Sequence, residues 1–174
     1  RNRLDNPSNA LLGFETGGNY QELWLMEIIY MPDGTESPTR GPKMESSAMA
    51  GNKLLRCYAL PTSNYPRYGA STYGGAGTAV TMSLQAGIFP GSGTVSEVGS
   101  EFEFCNDATR GRRLVVEWHM KNSTSAGSPN GLMECWIDGT LVQQVTGLDT
   151  YEVGNTGFNE GYFWGAVDFP WDVD

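Results

Sequence analysis

The clearest pattern along the chain is an alternation of apolar and polar residues that starts after Arg113. Every second residue is apolar and the intervening ones are mostly polar: Leu114, Val116, Trp118 and Met120 on one side, Val115, Glu117, His119 and Lys121 on the other. A period of two is typical of a β-strand with one face in a core and the other toward solvent. We therefore predict a strand whose polar face carries Glu117, His119 and Lys121.

Two further strands are predicted directly after this one. The small, polar residues 122–130 predict a loop, and Gly131 to Asp138 (GLMECWID) predicts the next strand. Asp138-Gly139 is a strong signal for a tight hairpin turn, so we expect Thr140 to Thr146 to pair with that strand. The three strands form a predicted meander.

The meander defines a candidate ligand surface. Alternate residues of its second strand are expected inside and outside: Met133, Cys135 and Ile137 in the core, and Leu132, Glu134 and Trp136 on the polar face. Neighbouring strands place such residues in contact. Carboxylates accept hydrogen bonds from sugar hydroxyls, and an indole stacks on the apolar face of a pyranose. We therefore predict a sugar-binding face that includes Glu117, Glu134, Trp136 and Lys121.

Short strands are also predicted through the rest of the chain. They fall at Glu22 to Met31, Lys53 to Leu60, Ala79 to Gln85, Glu101 to Cys105 and Gly161 to Val167, with loops at residues 1–13, 34–52 and 61–78. The counts of 23 glycines and 9 prolines are typical of many strands joined by turns. The sequence predicts an all-β fold, a two-sheet antiparallel β-sandwich of about eight strands. We expect one domain over residues 1–174.

The charge of the chain restricts its partners. The net charge is −9, so a nucleic-acid backbone or an anionic membrane surface would be repelled. An anionic polysaccharide would need a local basic patch. No apolar run approaches the roughly 20 residues of a membrane span, so we expect no membrane insertion. Cys57, Cys105 and Cys135 allow at most one disulfide, and buried thiols are the expectation.

Three segments give the sequence a family resemblance. Val116 to Val142 (VEWHMKNSTSAGSPNGLMECWIDGTLV) resembles a recurring segment of concanavalin-A-like jelly rolls, in the form found in polysaccharide lyases and lectin-like modules. Asn19 to Leu25 is similar to an early strand of that group, and Gly41 to Met44 to the loop after it. The resemblance implies a jelly-roll sandwich, a fold that hosts lyases, hydrolases, lectins and structural coats.

The chain departs from the motifs of jelly-roll alginate lyases at three places. Where those enzymes have an R-S-E-L-type motif, this chain reads Tyr20 to Leu23 (YQEL) and lacks the arginine. Their Q-I-H-type motif is matched only at Gln85, and their Y-F-K-A-G motif is echoed by Tyr162 to Ala166 (YFWGA) without the lysine. The chain ends where this group usually has a further strand, so we expect it to be truncated at one or both ends.

A lyase mechanism would need a base, a group that neutralises the uronate carboxylate, and an acid for the leaving oxygen. His119 is the only histidine, and it forms the predicted catalytic set with Tyr162 and Gln85. Arg56 and Lys43 are the candidate cations for ligand binding. The alternative is a histidine that packs at the rim of the sheet.

Other chemistry receives less support. A glycosidase would need two carboxylates that flank a bond, and Glu117 and Glu134 qualify by spacing alone. No cofactor is expected, although the acidic end with Asp168, Asp172 and Asp174 makes calcium possible. Asn122-Ser123-Thr124 is a glycosylation sequon in a predicted loop.

Three functions follow from these observations. The first is a carbohydrate-binding, lectin-like module that recognises polysaccharide. The second is a polysaccharide lyase of uronate-containing glycans. The third is a structural surface protein, a virion decoration or appendage subunit that self-assembles into a larger structure. All three predict an extracellular or surface-associated protein.

Overall fold

The computed structural model describes residues 2–3, 12–30, 52–58, 64–74, 80–90, 96–105, 112–151, 157–165 and 172–173. Within these residues the chain forms twelve β-strands and no helix. In chain order they are β1 (Asn2–Arg3), β2 (Leu12–Tyr20), β3 (Glu22–Tyr30), β4 (Asn52–Tyr58), β5 (Asn64–Gly74), β6 (Val80–Pro90), β7 (Ser96–Cys105), β8 (Arg113–Lys121), β9 (Gly131–Ile137), β10 (Thr140–Leu148), β11 (Phe158–Gly165) and β12 (Asp172–Val173).

The strands form two six-stranded sheets. Sheet A has the order β1-β12-β3-β8-β9-β10, and sheet B has the order β2-β11-β4-β5-β6-β7. Neighbouring strands are antiparallel in both sheets. The predicted all-β, two-sheet antiparallel β-sandwich is confirmed.

The core lies between the two sheets and follows the alternation in the sequence. In sheet A the fully buried side chains include Leu114, Val116, Trp118, Met120, Met133 and Cys135. Sheet B contributes Leu55, Cys57, Tyr68, Ala70, Met82, Leu84 and Phe158, which are equally buried. The predicted inner faces of β8 and β9 are therefore confirmed. Their outer faces carry Glu117, His119, Lys121, Glu134 and Trp136.

The predicted hairpin between β9 and β10 is present. Asp138 and Gly139 have φ angles of 50° and 75°, the left-handed pair that a two-residue type I′ turn requires. The Asp138 amide donates to the Val115 carbonyl oxygen at 2.8 Å, and the Val115 amide donates to the Asp138 carboxylate at 2.9 Å. These bonds attach the turn to β8, so the three-stranded meander is a rigid unit.

The prediction of a loop over residues 61–78 was wrong where β5 lies. Its mixture of Pro, Gly, Tyr and Ser is unusual for a strand, yet Tyr68 and Ala70 are fully buried and β5 pairs with both β4 and β6. Pro66 lies beyond the last pair with β4, Tyr58 with Arg67, where a missing N–H is tolerated. Burial between two partners outweighs the weak strand propensity of this segment.

The first residues of the chain also hold a strand that the sequence analysis missed. β2 begins within the predicted loop over residues 1–13 and runs on through Gly17 and Gly18. Among the described strands it is an edge strand of sheet B and pairs with β11 alone. An edge position places fewer packing demands on side chains, so the glycines are tolerated there.

A buried polar cluster joins the sheets at one end of β8. The Tyr68 hydroxyl reaches across from sheet B and donates to the Lys121 carbonyl oxygen at 2.6 Å, and it lies 2.9 Å from the Thr150 hydroxyl oxygen. Thr150 in turn donates its amide to the Ser123 hydroxyl oxygen at 2.7 Å. Burial raises the pKa of the Tyr68 phenol above its usual value, so the hydroxyl stays protonated and available as a donor.

The sequon at Asn122 is not accessible. The Asn122 side chain is 1% exposed, and its amide has no hydrogen-bond partner within the described residues. A glycan needs an exposed amide nitrogen, so the buried Asn122 side chain is unsuited to glycosylation, whereas the predicted loop over residues 122–130 is present.

The expectation of buried thiols is confirmed for Cys57 and Cys135, which are both fully buried and not joined in a disulfide. Burial raises the pKa of the Cys135 thiol, and the nearby charge of Glu27 acts in the same direction. A thiol of this kind is unreactive. The side chain of Cys105 lies outside the described part of the chain.

None of the described residues forms a helix that could span a membrane.

Candidate functional site

A row of side chains crosses four strands on the outer face of sheet A. The strand register pairs Trp24 of β3 with His119 of β8, His119 with Glu134 of β9, and Glu134 with Gln144 of β10. Each of these positions alternates with a core residue, so all four side chains lie on the same side of the sheet. We call them, together with Glu22 and Trp136, the His119 cluster.

His119 lies between two carboxylates. Its Nδ1 is 2.7 Å from Glu134 Oε2, and its Nε2 is 2.6 Å from Glu22 Oε1. The side chains of His119 and Glu134 are 8% and 10% exposed, whereas that of Glu22 is 46% exposed. The second carboxylate oxygen of Glu134 accepts a hydrogen bond from the Gln144 side-chain amide. Both ring nitrogens of the histidine are therefore engaged by the protein itself.

Carboxylates outnumber cations in this arrangement. Glu22 and Glu134 flank a single imidazole, so even a charged imidazole would leave the three groups with an excess of negative charge.

Two tryptophans cover the histidine. The Trp24 indole stacks on the imidazole with ring centroids 3.8 Å apart and an interplanar angle of 9°. Trp136 lies beside it, with its ring centroid 5.4 Å from that of Trp24 and an interplanar angle of 31°. Because Trp24 is 60% exposed, the ring face turned away from His119 is open to solvent. The result is a fixed aromatic platform on the sheet surface.

Charged and apolar side chains surround the platform. Glu117 pairs in register with Trp136 and Met26, and Lys121 pairs with Glu22. Met26 is 64% exposed. Exposed aromatic and apolar groups beside carboxylates are suited to a ligand with one apolar face and many hydroxyl groups.

The outer face of sheet B carries a second polar row. Tyr162 of β11 is opposite Arg56 of β4, Arg56 is opposite Gly69 of β5, and Gly69 is opposite Gln85 of β6. The Tyr162 ring contacts the Tyr58 ring at a centroid distance of 5.9 Å. Both Tyr162 and Gln85 alternate with core-facing residues and so lie on the outer face.

The structure separates the predicted site residues into two groups on opposite sides of the sandwich. Those in sheet A are Glu117, His119, Lys121, Glu134 and Trp136, and those in sheet B are Gln85, Tyr162 and the backbone of Arg56. The predicted catalytic set of His119, Tyr162 and Gln85 is therefore not brought together. Lys43 lies outside the described residues, as do Asp168 and Asp174.

The segments that resemble the family motifs also lie in different sheets. Glu22 and Leu23, from the segment matched to the R-S-E-L motif, lie in sheet A, whereas Gln85 and Tyr162 lie in sheet B. One site cannot include all of them. In the strand register Tyr162 is opposite the backbone of Arg56.

The sequence analysis missed three members of the His119 cluster: Trp24, Glu22 and Gln144. Trp24 and Glu22 fall on the outer face of β3 because Leu23, Leu25 and Ile29 point inward. Glu27 interrupts the apolar series on the inner face of β3, because it is a carboxylate on the core side. There its Oε1 accepts a hydrogen bond from the Trp118 indole at 3.0 Å. Gln144 lies beyond a register shift in β10 that periodicity alone does not reveal. Within the described residues, no three His, Cys, Asp or Glu side chains are placed to hold a metal ion.

The fold and its two polar rows define an antiparallel β-sandwich with a candidate site on each outer face. Solved structures with this fold include alginate lyase Aly36B, which matches with a TM-score of 0.61 and 12% identity over 98% of this chain and 77% of that chain. A mutant of the same enzyme in complex with alginate tetrasaccharide matches with a TM-score of 0.63, 12% identity and the same coverage. At this identity the likeness shows the fold alone. No protein-family model and no curated protein sequence matches the chain.

Proposed function

We propose that this protein binds carbohydrate chains through the outer face of sheet A. The observation that carries the proposal is the Trp24 ring, which stacks on His119 at 3.8 Å on one side and is 60% exposed in total. A large apolar ring held flat on a sheet surface loses little conformational freedom when a pyranose stacks on it. Trp136 extends the platform sideways.

The polar groups around the platform support the same function. Glu22 is half exposed and uses one oxygen for His119, so further acceptor positions remain for sugar hydroxyl groups. Glu134 contacts the imidazole on its Nδ1 side and is itself held by a hydrogen bond from the Gln144 side-chain amide. A ligand would therefore meet an ordered surface, and the cost of ordering these side chains is met in folding rather than in binding.

Titration calorimetry with neutral and acidic oligosaccharides tests this proposal. Trp24→Ala should weaken binding about tenfold or more, because truncation of an anchoring tryptophan removes a dominant contact. Tyr20→Ala is the matched control, since Tyr20 is also an exposed aromatic residue, 48% exposed, but belongs to sheet B. Equal affinities for wild type and Trp24→Ala would refute the proposal.

A polysaccharide lyase active on the outer face of sheet B is the second candidate. The row of Tyr162, Arg56 and Gln85 supports it, and the fold is one that alginate lyase Aly36B also has. In such a reaction Tyr162, as a phenolate, would take the proton next to the uronate carboxylate. The electron pair of the broken C–H bond would form the carbon–carbon double bond, and the glycosidic oxygen would leave with the proton that Tyr162 returns to it. Arg56 and Gln85 would neutralise the carboxylate.

The absorbance of unsaturated uronate during incubation with alginate and other acidic polysaccharides tests this candidate. Activity that disappears in Tyr162→Phe and persists in His119→Gln would locate the chemistry on sheet B. Activity lost in His119→Gln but retained in Tyr162→Phe would move the reaction to sheet A. No product on any substrate would leave carbohydrate binding as the function.

A further inference from the structure

We infer that the sheet A face selects uncharged pyranoside chains and discriminates against uronate chains of the same shape. This inference rests on the proposed carbohydrate-binding function and adds the class of ligand. It follows from the charges fixed around the aromatic platform rather than from the platform itself.

The centre of the face is net negative. Three carboxylates, Glu22, Glu117 and Glu134, lie on this face with one ammonium group, Lys121, and one imidazole. Even a charged imidazole would therefore leave an excess of negative charge. The imidazole is enclosed, with both nitrogens engaged and its ring face covered by Trp24, and it cannot pair with a ligand carboxylate. Lys121 is the one cation at the centre that a ligand could reach among the described residues.

A uronate chain would bring one carboxylate per sugar onto this surface. Each would lose hydration beside Glu22 or Glu117 and would be repelled by these carboxylates, and Lys121 alone could offset only part of that repulsion. An uncharged sugar has a hydroxymethyl group at the same place, which donates a hydrogen bond to a carboxylate. The same residues that favour a neutral chain therefore disfavour its charged counterpart.

The matched ligands are cellohexaose and a β-1,4-linked hexaglucuronate, which differ only at C6. We expect cellohexaose to bind and hexaglucuronate to bind at least about fivefold more weakly. A factor of about five corresponds to the repulsion between two unit charges near the surface. Salt gives a second signature. Raising ionic strength from about 0.01 M to 0.15 M screens repulsion, so it should increase the affinity for hexaglucuronate and leave cellohexaose unchanged.

Variants complete the test. Glu117→Gln removes one negative charge and should reduce the discrimination, whereas Trp24→Ala should weaken both ligands together. The inference would be overturned if hexaglucuronate bound more tightly than cellohexaose, with an affinity that falls as salt rises and is lost in Lys121→Gln. The proposed carbohydrate-binding function would still stand in that case if Trp24→Ala weakened hexaglucuronate binding. If neither ligand nor an alginate oligosaccharide binds in a Trp24-dependent manner, the proposed function fails as well. Thermal melting of each variant shows that the loss does not arise from unfolding.

Discussion

The two outer faces of the sandwich each carry a polar row across several strands, but the rows differ in how their polar atoms are used. On sheet A, both nitrogens of His119 and both oxygens of Glu134 are hydrogen-bonded within the protein. On sheet B, the contact described for Tyr162 is the ring contact with Tyr58. The polar atoms of the first face are engaged with one another, whereas Tyr162 on the second face is partly exposed and its described contact is through its ring.

This difference bears on function. A binding surface gains affinity when its side chains are already ordered, because less conformational entropy is lost on association. A general base must instead exchange a proton with its substrate, and a histidine held between two carboxylates is poorly placed to do so. This difference supports our proposal that sheet A binds carbohydrate and that the lyase candidate belongs to sheet B.

The largest expected effect on stability comes from removal of the buried carboxylate that contacts His119. Glu134→Ala should lower the free energy of unfolding by about 3 kcal/mol, because it leaves a buried imidazole without its partner. Glu22→Ala removes the other carboxylate from the same ring, but Glu22 is 46% exposed and water can replace it. We expect no more than about 1 kcal/mol for that variant.

Urea denaturation of both variants measures the contrast. Glu160→Ala on β11 is the sheet B control, with an expected change within about 0.5 kcal/mol. Equal losses for Glu134→Ala and Glu22→Ala would show that burial does not distinguish the two carboxylates and would remove the argument for a rigid face.

The next effect loosens the connection between the faces. Tyr68→Phe deletes the hydroxyl that donates to the Lys121 carbonyl oxygen and contacts Thr150. We expect a loss of about 1–2 kcal/mol in unfolding free energy, because buried polar partners are left unsatisfied. Sugar affinity should stay unchanged, since the His119 cluster does not include Tyr68. If calorimetry showed a large loss of sugar affinity in a Tyr68→Phe variant that is still folded, the sheet A face would depend on the buried polar cluster around Tyr68.

The sequence predicted sheet A better than sheet B for a physical reason. β8, β9 and β10 follow one another and pair locally, so their alternation and the Asp138-Gly139 turn specify the faces directly. β5 is a strand because it is buried between β4 and β6, and the residues of β5 show no local pattern that predicts this pairing. Predicting that Tyr162 and His119 lie on opposite faces required the strand order of both sheets.

The chemistry of the His119 cluster was only partly predictable for the same reason. Glu117, Glu134 and Trp136 came from the meander, and their shared face was correct. Trp24 and Glu22 come from β3, about 95 residues earlier in the chain than their partner His119, and only the long-range pairing of β3 with β8 brings them together. A single sequence carries no signal for that pairing.

The smallest expected effect concerns the turn that holds β9 and β10 of the sheet A row. The Val115 amide, and next to it the Arg112 guanidinium, lower the pKa of Asp138 below its usual value. Asp138→Asn should cost a few tenths of a kcal/mol at pH 7, because both partners of the Arg112 ion pair are substantially exposed. An ionised Asp138 stabilises the fold above about pH 4, and this contribution is lost as the pH falls through the lower folded-state pKa. Chemical denaturation at neutral and acidic pH should therefore show wild type and Asp138→Asn converging in acid. A difference that widens in acid would mean that the carboxylate does not stabilise the turn through its charge, and the rigidity of the meander would then have to come from the backbone bonds alone.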